Sequence, residues 1–193
     1  MSIQDLRMRE EVFRYRAHNQ EICGLKISPD GQMIASGGND NKLYLFSMKT
    51  WGKMAVWDDH KAAVKAIGFN PRYPTIASGG GTADRKLRIF NLNNFEMESC
   101  VDTGSQICNL MYSPISNELV TTHGYSLNQI NLWRWETDGE VNKVDCLMGH
   151  KSRVLYLAGE NQGAKVVTGA GDHELRLWKI FDENVKSSSY DLR

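Results

Sequence analysis

Three hydroxyls, each with a histidine upstream and an aspartate downstream, are the groups in this sequence with the most chemistry to offer. They form the sets His18, Ser36, Asp40; His60, Ser78, Asp84; and His150, Thr168, Asp172. Hydroxyl, imidazole and carboxylate together suggest acyl transfer, in which a base activates a nucleophile and an acid orients the base. A triad of that kind is needed once, in one cleft. Three copies at even intervals point instead to a repeated structural duty, the imidazole bridging a turn carboxylate and a strand hydroxyl so that buried polar groups are satisfied. No paired carboxylates, nucleophile elbow or cluster with metal-ligand spacing stands beside them. Gly79-Gly80-Gly81-Thr82 is followed by neither Lys-Ser/Thr nor a helical pattern, so it reads as a strand-to-strand turn and not as a phosphate loop. The expectation is a non-enzyme without cofactor or metal. One repeat breaks the pattern: Thr103 and Leu127 stand where His and Asp would fall, and that unit is expected to be locally weaker.

The elements that must hold these sets are short strands. The stretch Ser36 to Phe46 is a turn feeding a strand that ends on an aromatic, and it is echoed by Ser78 to Phe90, Thr122 to Trp133 and Thr168 to Trp178. The closing aromatics fall at 46, 90, 133 and 178, gaps of 44, 43 and 45 residues. A period of roughly 40 to 45 residues is that of WD-type propeller blades, each a four-stranded sheet. Pro29-Asp30-Gly31 and similar clusters separate the strands by a stated mechanism, proline presetting one dihedral and glycine accepting positive φ. The fold class is therefore all-β, a partial WD-repeat β-propeller of four blades. The spacing divides the chain into residues 1–17, an outer strand (11–16) of a blade that is absent, then repeats at about 18–59, 60–102, 103–149 and 150–181, and a flexible tail at 182–193. Because each WD blade takes its outer strand from the following repeat, both ends are incomplete. Either an open arc of a seven-bladed propeller or a four-bladed ring closed by residues 11–16 would follow, and seven-blade packing angles favour the arc.

Composition narrows the partners. A formal net charge of +0 with 24% charged residues describes a soluble globular surface, and the basic residues are spread out where a phosphate-binding face needs them clustered. No nucleic acid and no membrane are expected, since residues 1–16 lack an apolar signal core and no apolar run reaches the length of a membrane span. Cys23, Cys100, Cys108 and Cys146 have no C-x-x-C spacing and read as buried reduced thiols of a cytosolic or nuclear protein.

Several longer blocks are more specific than the period. They are His18 to Lys26 (HNQEICGLK), Ala35 to Leu43 (ASGGNDNKL), Ala77 to Arg85 (ASGGGTADR), Asp102 to Leu110 (DTGSQICNL), Thr122 to Ser126 (THGYS), Arg153 to Ala158 (RVLYLA) and Val167 to Asp172 (VTGAGD). They resemble the propeller of the Cdc20/fizzy family of anaphase-promoting complex activators, most closely its fizzy-related (Cdh1-like) branch, over roughly residues 3 to 181. The resemblance implies a substrate-recognition adaptor or activator of that ubiquitin ligase, acting in the cell cycle from the nucleus and cytoplasm. Its partners would be subunits of the complex and substrates carrying a KEN degron, a Lys-Glu-Asn tripeptide held on the face where the blade turns converge. The matching positions are Asn39, Asn41, Thr82, Gln106 and Arg153, whose amides, hydroxyl and guanidinium suit peptide polar groups and a Glu. The terminal Leu192-Arg193 resembles the family's ligase-binding Ile-Arg tail. Three departures accompany the match: only the last four blades are present, the N-terminal C-box region is missing, and His173 occupies the acidic position of the destruction-box pocket. Weak or absent destruction-box binding follows. The alternative is a truncated WD-repeat scaffold or decoy that no longer activates the ligase.

Overall fold

A computed structural model describes residues 2–5, 7, 10–136, 138–160 and 164–181. Alternating apolar and polar residues between Gly-, Pro- and Asn-rich turns give seventeen strands among them, and no helix. A first pair, β1 (Ser2–Asp5) and β2 (Glu10–Arg14), forms a two-stranded sheet. β3 (Ile22–Ile27), β4 (Met33–Gly38), β5 (Leu43–Ser47) and β6 (Lys53–Trp57) form the first four-stranded sheet. The second is β7 (Val64–Phe69), β8 (Thr75–Gly80), β9 (Lys86–Asn91) and β10 (Met97–Asp102). The third is β11 (Ile107–Tyr112), β12 (Glu118–His123), β13 (Ile130–Trp135) and β14 (Val141–Leu147). The last has three strands, β15 (Val154–Gly159), β16 (Lys165–Ala170) and β17 (Leu175–Lys179). Every pairing is antiparallel and sequential, the meander expected when each strand returns through a short turn.

The sheets stack as blades of a partial β-propeller. Inner strands meet in order, β3 against β7, β7 against β11 and β11 against β15. Three apolar clusters fill the joints. Leu43 and Leu45 pack with Ile67 and Phe69 in the first, Leu87 and Ile89 with Leu110 and Tyr112 in the second, and Ile130 and Leu132 with Val166 and Phe181 in the third. The joints differ in chemistry. A Cβ on Gly37 would fall 2.2 Å from the Val64 carbonyl oxygen and one on Gly79 would fall 2.5 Å from Ile107, so these two approaches need glycine. At the third joint Thr122 takes the corresponding place and its hydroxyl donates to the Val154 carbonyl at 2.8 Å.

The arc is open. β2 hydrogen-bonds to β1 and β17 to β16, so residues 11–16 do not complete the last sheet. Residues 2–5 add a strand that the sequence pattern did not single out, because the side chains around it alternate charge more than hydrophobicity. The pair lies on the first sheet through aromatics, Phe13 stacking on Trp51 at 5.9 Å and Tyr15 meeting Phe46 edge-on at 5.6 Å. Part of the turn expected at residues 159–163, and the tail at 182–193 with Leu192 and Arg193, lie outside the described residues.

Candidate functional site

The three recurrent sets are hydrogen-bonded chains at one end of each sheet. His18 Nδ1 meets Asp40 Oδ1 at 2.8 Å and its Nε2 meets Ser36 Oγ at 2.9 Å. His60 repeats this with Asp84 at 2.6 Å and Ser78 at 2.7 Å, and His150 with Asp172 at 2.9 Å and Thr168 at 2.8 Å. Each aspartate also accepts the backbone N–H after the histidine, from Asn19, Lys61 and Lys151. The set thus ties the loop before the inner strand to the turn after the second strand. All three hydroxyls are buried, with no room for an acyl substrate, so the geometry is that of a clamp.

The second sheet strengthens its clamp. Buried Arg88 donates to Asp84 through Nη1 at 2.7 Å and Nη2 at 3.1 Å. Burial pushes the Asp84 carboxyl up, but donors from His60 and Arg88 outweigh it and hold the group far below the usual carboxylate range. Asp172 is likewise held low, at about 2, by the Lys151 amide and His150 against the push of desolvation. Burial lowers His60 below its ordinary value, opposed by its bond to Asp84.

The third sheet does not go without a clamp; it builds a different one. Thr121 stands at the hydroxyl position of Ser36, Ser78 and Thr168, and the imidazole reaching it comes from His123 on the same strand, Nε2 to Oγ1 at 2.7 Å. Asn131 Nδ2 donates to that nitrogen at 3.1 Å, which leaves the ring proton on Nδ1 facing Ser105 Oγ at 3.0 Å. Gln129 bonds Ser105, and the Trp133 indole N–H donates to Thr121 at 2.7 Å, as Trp178 does to Thr168 in the last sheet. His123 is fully buried and desolvation holds it near pKa 4, in the neutral form. The missing histidine and aspartate therefore mark a substitution of parts. Its only signal in the sequence was a histidine at the end of Thr121-Thr122-His123.

The five positions singled out for peptide contact lie at the clamp end of the sheets, in the turns between second and third strands or just before an inner strand. Thr82, Gln106 and Arg153 come together. Thr82 Oγ1 donates to Gln106 Oε1 at 3.3 Å, and the Cβ position of Gly124 lies 3.3 Å from both Gln106 Oε1 and the Arg153 side chain. The Arg153 guanidinium sits over the Tyr125 ring at 5.5 Å, a cation held at the surface on a two-thirds exposed aromatic. Asn39 and Asn41 occupy the equivalent turn of the first sheet. Asn39 is fixed by Glu21: its N–H donates to the Glu21 carbonyl at 2.9 Å and its Nδ2 to Glu21 Oε2 at 3.2 Å. Asn41 has φ 65°, and Arg85, Asn128 and His173 adopt the same left-handed conformation in the other three turns. Sequence reasoning passed over Glu21 and Tyr125, which orient two of these side chains from residues that read only as strand edge and turn.

A WD domain, G-beta repeat model matches residues 9–47, 51–91 and 141–179, passing over most of the third sheet, where the clamp is rebuilt. The chain is 49% identical over 179 residues to the B-type cell cycle switch protein ccs52A of Medicago truncatula and 48% identical to Protein FIZZY-RELATED 1 of Arabidopsis thaliana, in each case over 92% of this chain and 37% of the relative. It is 44% identical over 181 residues to the APC/C activator protein CDH1 of Saccharomyces cerevisiae, covering 93% of this chain and 31% of that protein. A chain of the crystal structure of the mitotic checkpoint complex superposes with a TM-score of 0.85 at 33% identity, over 89% of this chain and 54% of that one. This chain thus spans about a third of the length of the curated relatives it matches.

Proposed function

From a chain that belongs to the WD-domain, G-beta repeat family, in its fizzy-related branch, we propose a substrate-recognition module of the anaphase-promoting complex that holds KEN degrons at the clamp end of the arc. The observation that carries the reading is the corner made by Thr82, Gln106 and Arg153. A hydroxyl and an amide lie within bonding distance of each other, and beside them a guanidinium is propped on Tyr125. The guanidinium can take the degron glutamate in a bidentate pair, and the amide can bond an asparagine. Asn39, held by Glu21, and Asn41 extend the same end toward the remainder of the peptide. His173 offers no permanent negative charge, so a destruction-box arginine is held weakly or not at all. The relative named as an activator of the complex supports delivery to that ligase; in this reading the chain acts from the nucleus and cytoplasm, and Leu192 and Arg193 are the contact with the ligase.

Titration of a fluorescent KEN peptide against the purified chain tests this. Saturable binding is expected, weakened at least tenfold by Arg153→Ala combined with Asn41→Ala. A chain that ignores the peptide, or a double variant that binds it as well as the parent, removes the proposal.

A further inference from the structure

At the end of the sheets away from the clamps, the turns that follow the inner strands β3, β7 and β11 are equally long, at residues 28–32, 70–74 and 113–117, so their positions correspond one to one. Asp30 corresponds to Arg72 and to Ile115, and Gly31 to Tyr73 and to Ser116. Leu92 donates its N–H to the Pro74 carbonyl at 2.7 Å as Trp135 does to that of Asn117 at 2.9 Å, which makes Leu92 and Trp135 equivalent as well. At the second joint the turn of one sheet reaches across to the next. Arg72 Nη1 donates to the Ile115 carbonyl at 3.1 Å, and the Tyr73 ring packs on Trp135 with centroids 5.1 Å apart. At the third joint Ile115 and Ile180 pack against one apolar cluster.

The first joint has neither kind of closure. Gly31 has no side chain, and the position of its missing Cβ has no atom within 4 Å. Asp30 is bound into its own turn, its Oδ1 accepting from the Ser28 hydroxyl at 2.5 Å and from the Gln32 N–H at 3.0 Å, and a carboxylate cannot donate to the Arg72 carbonyl as Arg72 does to that of Ile115. A cavity of about 270 Å³ remains, with Asp30 and Met33 of the first sheet on one side and Phe69, Tyr73 and Leu92 of the second on the other. That is smaller than the roughly 300 Å³ at which pockets for small molecules begin, and it suits a side chain. Its walls are apolar and aromatic with one charge among them. The bonds from Ser28 and Gln32 hold the Asp30 carboxyl below the usual carboxylate range, so it stays ionised, and both fall on Oδ1, leaving Oδ2 for a ligand.

We propose that this cavity docks a linear peptide of a partner protein in which an arginine stands directly before a tyrosine. The tyrosine ring lies over Gly31 against Leu92, the place that Tyr73 fills against Trp135 at the second joint. The guanidinium pairs with Asp30 Oδ2 and donates to the Arg72 carbonyl, as Arg72 itself donates to Ile115. The neighbouring joint thus supplies the template for the occupant. The charge supplies its polarity: Asp30 stands where the second joint has its own cation, so at the first joint the cation comes from outside. An acidic peptide is repelled by Asp30, and a small polar one leaves Met33, Phe69 and Leu92 uncovered. Arg153 and Asn41 belong to the other end of the sheets, so this site is separate from the one proposed for the KEN degron and does not rest on it.

Magnetic resonance titration of the full chain, isotope-labelled at its methionine methyls, tests the proposal with the peptide acetyl-Ala-Arg-Tyr-Ala-amide. Met33 lines the cavity, and its signal is identified by its loss in Met33→Leu. That methyl should shift saturably. Asp30→Asn keeps the Oδ1 acceptor of the turn and removes the charge, and it should weaken binding about tenfold. At the same concentration acetyl-Ala-Glu-Tyr-Ala-amide and acetyl-Ala-Arg-Ser-Ala-amide should shift the methyl far less, and an excess of KEN peptide should leave the shift in place. A Met33 methyl that does not respond to the arginine–tyrosine peptide overturns the proposal. So does an equal response to either control peptide, an Asp30→Asn chain that binds as tightly as the parent, or displacement by the KEN peptide.

Discussion

At the scale of residues, the clamps decide how the protein meets acid. The buried His123 ring is neutral in the fold, with its pKa held near 4, whereas in the unfolded chain it titrates near 6.5. Between those values the unfolded chain binds the proton and the folded one does not, so stability falls as pH drops from 6.5 toward 4, by up to about 1.4 kcal/mol per pH unit. His123→Gln should lower the urea midpoint at every pH by disturbing the bonds to Thr121 and Ser105, flatten its slope with pH in that window and leave the slope unchanged above pH 7. The depressed carboxylates act lower. Asp40, Asp84 and Asp172 contribute stability that is complete above their unfolded pKa near 3.8 and lost as pH falls through their folded values. Asp84 has a further duty, since Asp84→Asn leaves the buried Arg88 charge without its carboxylate. A loss of about 3 to 5 kcal/mol is expected at neutral pH, seen as a lower denaturation midpoint, against about 1 kcal/mol for Asp40→Asn, whose clamp contains no buried arginine. Equal losses for the two variants would deny Arg88 that role.

At the scale of elements, strand order and sheet pairing were legible because period-2 alternation and Gly/Pro turns recur at fixed spacing. Ser36, Ser78 and Thr168 announced their partners for the same reason. What escaped the pattern is what does not repeat. β1 is Ser-Ile-Gln-Asp, four residues with one apolar side chain, too short for a period-2 pattern to register, and it is defined by its pairing with β2. The third clamp draws its histidine from within a strand, where a single His reads as any polar residue. The positions proposed for peptide contact were named by resemblance. Their grouping into Thr82, Gln106 and Arg153 on one side and Asn39 and Asn41 on the other is a property of adjacent sheets that no local pattern encodes. The joints give a sharper test than the strands. Gly37→Ala puts a methyl 2.2 Å from the Val64 oxygen, and separating two packed sheets to admit it costs about 1 to 3 kcal/mol. Gly31→Ala, in an open turn with φ 69° and nothing near its Cβ position, is strained only in its own backbone and should cost about 1 kcal/mol. Thermal midpoints that fall equally would contradict the close approach of the first two sheets.

At the scale of the whole molecule, the main contacts among the described residues run between neighbouring sheets, so stability is approximately a sum of sheet and joint contributions. The middle sheets are buried on both faces and the end sheets on one. Hydrogen exchange should therefore be slowest in β7–β9 and β11–β13 and fastest in β3 and β15–β17. Uniform protection along the arc would mean that the sheets open as one cooperative unit.

The difference between the joints bears on how such an arc deforms. Where glycine lies against a neighbouring strand, most of the contact at that point is dispersion, which is not directional. Where the Thr122 hydroxyl is bonded to Val154, and Asn109 to Leu155 beside it, rotation lengthens directional bonds. The first two joints are bonded too, by the Cys23 thiol on the Val64 carbonyl at 3.3 Å and by Thr82 on Gln106 at 3.3 Å and Arg72 on the Ile115 carbonyl at 3.1 Å, but only the third bonds one inner strand to the next through an uncharged hydroxyl at 2.8 Å. The third joint is therefore expected to be the stiffest, and a rotation of the arc is expected to concentrate at the other two, changing the separation of Arg153 from Asn41.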